Sequence, residues 1–194
     1  RKMSTSKSRE KATGSRVDDL RSSIFGEWSV VQSKSSDIDM FNRLKVVVDG
    51  DERKVTITQK WGGERNFEER LELSTDGKET RIRVDNRVFP SNIFMGLARK
   101  IGSARVVRAE WIETGRELLV RETGEIRNSQ GFTPVEIEHR YALSGSGEEL
   151  VYTIRRSTRN TASPLRFVCK PAGSREAYVM YLNDDWYIDE IGRA

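Results

Sequence analysis

His139, Tyr141 and Tyr152 are the side chains of this chain best placed to do chemistry. His139 is the sole histidine and sits in Val135-Glu136-Ile137-Glu138-His139-Arg140-Tyr141-Ala142-Leu143, the clearest apolar–polar alternation in the sequence. Alternate residues of a strand share a face, so His139 falls in phase with Ile137 and Tyr141 on the apolar side. There it could act as an acid, a base or a ligand contact, although a hydrogen-bonded core histidine is the plainer reading. Cys169 is the only cysteine, so no disulfide within the chain is possible. It reads as a small buried apolar residue in Phe167-Val168-Cys169-Lys170, with no activating partner in view. One histidine and one cysteine exclude a histidine-rich or cysteine-cluster metal site. No glycine-rich phosphate loop, nucleophile elbow or zincin motif occurs. Glu68, Glu72, Glu136 and Glu138 occupy solvent-phase strand positions, and no spacing singles out a pair of catalytic carboxylates. The expectation is a protein without catalysis, metal or cofactor.

The elements that would position these residues are strands. Trp28, Val30 and Val31 open the series after Gly26, followed by Leu44–Val48, Lys54–Thr58, Phe67–Leu73 and Arg81–Val84. Val106–Ile112, Glu117–Arg121, Val135–Leu143, Leu150–Arg155 and Leu165–Lys170 continue it. Asp49-Gly50-Asp51, Thr75-Asp76-Gly77, Thr114-Gly115 and Ser144-Gly145-Ser146-Gly147 read as tight turns between them. Nine or ten strands joined by hairpins, apolar on one face, predict an all-β, up-and-down antiparallel barrel whose closure removes exposed edges. A two-sheet sandwich fits the same alternation less economically. The exception is Phe89–Lys100, where Pro90 ends a strand and Ile93, Phe94, Leu97 and Ala98 have helix-like spacing, as a lid or a packed loop. Val17–Phe25 could form one short helical turn.

Gly26-Glu27-Trp28 on the first strand, with regular hairpins after it, resembles the lipocalin and calycin superfamily, and more narrowly bacterial lipocalin-like domains. The resemblance spans roughly residues 24–170. It implies that Trp28 closes the barrel base and that a basic side chain from a late strand covers it. Arg155, or its neighbour Arg156, stands at the matching place, and guanidinium stacking on indole is worth ~0.5–2 kcal/mol. Strand phase then nominates Ile57, Leu71, Ile82, Trp111, Ile137, His139, Tyr141, Tyr152 and Ile154 as inward. Of these, Trp111, Ile137, His139, Tyr141 and Tyr152 are the candidate ligand contacts: an apolar lining with polar handles for a hydrophobic or amphipathic molecule. The same residues could instead fill a small barrel completely.

Composition bounds the alternatives. The 194 residues are 36% hydrophobic and 33% charged, enough for one core-bearing domain. No apolar run approaches the ~20 residues of a membrane-crossing helix. A net charge of +4 arises from 34 basic and 30 acidic side chains that are interspersed, unlike the dense basic stripe of a nucleic-acid binder. Residues 1–16 are basic and polar and read as a flexible arm, residues 17–176 as the barrel domain, and residues 177–194 as an acidic-aromatic tail. Arm and tail could instead contact a protein partner, which makes an interaction module the alternative function. Because the sequence begins with Arg, removal of a leader, and so a secreted or periplasmic location, is an expectation.

Overall fold

The computed structural model describes residues 21–37, 41–64, 66–85, 98–128, 130–157 and 164–174. The expected basic arm, the acidic-aromatic tail and the Phe89–Leu97 part of the helix-like segment lie outside these. Eleven strands carry the fold: β1 (Gly26–Val30), β2 (Arg43–Gly50), β3 (Lys54–Gly62), β4 (Phe67–Ser74), β5 (Thr80–Arg83), β6 (Ala98–Arg99), β7 (Ala104–Glu113), β8 (Glu117–Asn128), β9 (Gly131–Leu143), β10 (Leu150–Arg156) and β11 (Leu165–Pro171). Ten run in the order β4-β3-β2-β1-β11-β10-β9-β8-β7-β5, and β6 pairs with the far end of β8. Every pairing is antiparallel, and the β1–β11 ladder, with Trp28 opposite Pro171, joins the first strand to the last. The sheet therefore curls around one core as a nearly closed barrel compatible with a lipocalin-like fold. Two separate sandwich layers are not what forms.

Period-two burial drives the wrap. Along β9 the buried set is Val135, Ile137, His139, Tyr141 and Leu143, with Glu136 and Arg140 exposed between them. One continuous core takes the inward residues of all the long strands, and each large apolar side chain so buried contributes roughly 1.5–3 kcal/mol.

Three local expectations are corrected. Thr75-Asp76-Gly77 does not return β4 onto β5; Gly77 donates its N–H to Ala109 at 3.0 Å and Asp76 bridges Glu110. The Asp76 side chain, turning back to accept from the Lys78 N–H at 3.0 Å, carries the chain over to β7, and β5 pairs there instead. Among the described residues β4 and β5 are left as the two ends of the sheet, with an opening between them that no ladder closes. Ala98 belongs to β6 rather than to a helix, and Ile24 lies in a bend that leads through Phe25 into β1. Among the described residues the only helical turn is the 3₁₀ turn Gln32–Lys34, and no helix is long and apolar enough to cross a membrane.

The third correction concerns the base. Residues 21–25 cross it, held by Arg21 N–H to Gly147 O (3.1 Å) and Ile24 N–H to Gly115 O (2.8 Å). Trp28 fills the floor, fully buried, its indole N–H donating to Ile24 O at 2.8 Å. The guanidinium over Trp28 belongs to Arg21, 5.1 Å from the ring centre, and not to Arg155. Arg155 follows inward Ile154 on β10, so the pleat turns it to the outer face, opposite Glu138 and toward the other end of the barrel. Gly147 has a φ of +76°, and a Cβ there would lie 2.2 Å from Arg21 O. Gly147→Ala is accordingly expected to lift this strap and cost about 1–3 kcal/mol, read as a lowered urea midpoint with altered tryptophan fluorescence.

Candidate functional site

Leu118, Val120, Glu122, Gly124 and Ile126 point inward from β8, and the odd member is Glu122. Its side chain is 2% exposed and is gripped by Arg99 of β6 and Arg105 of β7, the latter at 3.3 Å. Arg105 also reaches across the β4/β5 opening to pair with Glu69 of β4. Gly124 makes room for this: a Cβ there would sit 3.3 Å from Arg105 Cβ. Two guanidiniums face two carboxylates inside an otherwise apolar barrel.

A hydrogen-bonded chain leads from this cluster across the interior. His139 Nε2 lies 3.3 Å from Glu122 Oε2 and Nδ1 lies 2.7 Å from the Tyr152 hydroxyl. A carboxylate paired with two arginines only accepts, which assigns the proton to Nε2 and makes Tyr152 the donor to Nδ1. The Tyr152 hydroxyl interacts with that of Tyr141, and the two rings stack at 4.6 Å. Gln59 donates to the Tyr141 hydroxyl at 2.6 Å, and Trp61 donates to Gln59 Oε1 at 3.2 Å. Donors thus point along one line from β3 toward Glu122. Each member's demand is met by the next, as a buried polar network requires.

Burial, reinforced by the nearby Arg99 charge, holds the His139 pKa down to about 3, so the imidazole is neutral at ordinary pH. Burial likewise lowers Arg99 to about 10, with Arg105 adding to it, which leaves it a cation at neutral pH. For Glu69 burial opposes ionisation, but Arg105 and Arg99 outweigh it and hold the carboxyl below its usual range. Burial raises Tyr141 and Tyr152, and pushes the Cys169 thiol up to about 12, so that thiol is inert.

Comparison with protein-family models, curated proteins and solved structures returns no match for this chain. Its site is therefore read from its own geometry.

Of the residues nominated by strand phase, Ile137, His139, Tyr141 and Tyr152 come together inside the barrel, and Ile57 and Ile154 are buried in the same core. Leu71 of β4 and Ile82 of β5 are half-buried and flank the opening. Trp111 stands apart at the base, 5.9 Å from Phe25, donating its indole N–H to Glu52 O at 2.7 Å. Beneath the cluster the barrel is filled: Trp28, Val46, Leu118 and Tyr152 expose nothing to water. Among the described residues this packing leaves no room for a ligand along the axis beneath the cluster. A groove of about 700 Å³ over β7–β10 is lined by charged side chains such as Arg108, Arg121, Arg155, Glu79, Glu136 and Glu138, with Glu122 and Ile137 also in its lining. Arg108 pairs there with Glu79 and Arg121 with Glu138, and its remaining basic and acidic side chains are mixed, so it offers little net charge to select a ligand.

Strand phase alone did not nominate Glu122, Arg105, Glu69, Gln59 or Arg99. The signal was present for four of them: Glu122 is in phase with Leu118 and Val120, Glu69 with Phe67 and Leu71, Arg105 with Val107, and Gln59 with Ile57 and Trp61. A polar residue on the apolar phase of a strand is the mark to look for.

Proposed function

We propose that this chain is a non-catalytic, lipocalin-like barrel of the calycin type that holds a small amphipathic molecule at the β4/β5 opening. The polar end of the molecule meets the Arg99–Arg105–Glu122–His139 side of the cluster, and its apolar part lies against Leu71 and Ile82. The observation that carries this reading is the placement of four charged side chains inside an apolar barrel, at the one interruption of the described sheet. Well-packed apolar residues would be at least as stable there, and clusters of perturbed ionisable groups concentrate at functional sites. The Trp28 floor covered by a guanidinium supports the calycin reading. The absence of catalysis is supported by His139, since an imidazole with a pKa of about 3 is a poor proton acceptor at neutral pH.

Native mass spectrometry of the full chain, followed by solvent extraction, tests this. The expected result is a co-purifying small molecule, or a thermal shift when amphipathic molecules are added. A bare mass together with no shift across fatty acids, sterols and lysolipids would remove the reading.

A further inference from the structure

The two carboxylates of the cluster are not equivalent. Glu122 stands in the middle of the continuous sheet, 2% exposed, and is held by Arg99, Arg105 and His139. Glu69 stands on the end strand β4, is 15% exposed, and has one ion pair among the described residues, to Arg105. The closure it makes is also unlike the rest. Near the base the chain after β4 is tied to β7 by main-chain groups: Gly77 N–H to Ala109 O at 3.0 Å and the Asp76–Glu110 bridge. Toward the other end no strand ladder among the described residues joins β4 to β5 or β7, and Glu69–Arg105 is a side-chain link from β4 to β7.

Resting on the reading proposed above, we infer that Glu69 is a built-in stand-in for an acidic head group, and that an anionic amphiphile binds by displacing Glu69 from Arg105. With Glu69 in place the cluster is balanced, two guanidiniums against two carboxylates with a neutral His139. With Glu69 swung outward it carries one net positive charge, facing an opening flanked by Leu71 and Ile82. A carboxylate with an apolar tail restores that balance and covers those side chains. An uncharged analogue gains only the apolar contact, and a cation is repelled. The displaced Glu69 sits at the barrel wall, where water can take up its charge.

Fluorescence titration with cis-parinaric acid and with its methyl ester tests this on the full chain, each variant first checked by thermal melting. Wild type is expected to prefer the acid. E69Q, which removes the internal competitor's charge, is expected to bind the acid about tenfold more tightly while leaving the ester unchanged. R105K is expected to weaken the acid by a similar factor, because an ammonium cannot reproduce the forked contact. Should R105K fail to fold, the acid-to-ester ratio in E69Q decides by itself. Equal binding of both probes in wild type and E69Q would overturn the role of Glu69 and leave the binding reading intact. No binding of either probe to either protein would overturn the anionic-amphiphile inference, whereas loss of the broader reading would require the bare mass and absent shifts described above.

Discussion

Between pH 6.5 and 5 the protein is expected to lose about 1 kcal/mol of stability for each unit of acidification, through His139. The folded-state pKa of His139, about 3, lies below its ordinary value of 6.5. The unfolded chain therefore takes up the proton first as pH falls, and the equilibrium moves toward unfolding. Above about pH 7.5 the histidine is neutral in both states and the penalty is absent; it reaches roughly 3 kcal/mol by pH 4. His139 is the only histidine, so among side chains nothing else titrates through this range at its ordinary pKa. Glu69, depressed by Arg105 and Arg99 against its burial, adds in the same direction only below its usual value of 4.5. Urea midpoints between pH 5 and 7.5 measure the slope, and His139→Gln should abolish it while retaining a hydrogen-bonding side chain. A wild-type profile that is flat over this range would mean that folded His139 titrates near its ordinary value of 6.5, and a profile that rises on acidification would mean an imidazolium paired with Glu122. Either would overturn the neutral assignment.

Glu122→Ala is expected to cost about 3–5 kcal/mol, a large share of the ~5–15 kcal/mol that holds a domain of this kind together. The loss comes from what remains: Arg99 and Arg105, both 7% exposed, would face each other without the carboxylate between them. His139 would also lose its acceptor. The urea midpoint should fall with an unchanged slope, since the surface exposed on unfolding stays the same. Replacing Glu69, Arg99, Arg105 and Glu122 together by apolar residues of similar volume is expected to be neutral or stabilising, while amphiphile binding is lost. A mild effect of the single substitution would mean that water already shields the cluster, contrary to its burial.

Much of the barrel is legible in the residues. The β9 alternation from Val135 to Leu143 and the Gly115 and Gly147 turns place strands and hairpins correctly, because side-chain phase and turn chemistry are local. The reading fails where local signals serve a distant partner. Thr75-Asp76-Gly77 has the composition of a hairpin turn, yet its backbone bonds to Ala109 on β7, and this makes the opening. Arg21, outside any strand, supplies the cation over Trp28 because the segment entering the barrel crosses beneath it.

The sequence by itself determined the strands other than β6, the antiparallel wrap and the inward placement of Ile137, His139, Tyr141 and Tyr152, which follow from the two-residue period of the pleat and the turns between strands. Only the tertiary structure decided which charges those residues would meet. Glu69, Arg105 and Glu122 lie on β4, β7 and β8, and their separations are set by sheet order and by the width of the gap between the two end strands. Alternation specifies the face on which a side chain stands. It carries no information about what stands opposite, because that distance is fixed by the curvature of the whole sheet.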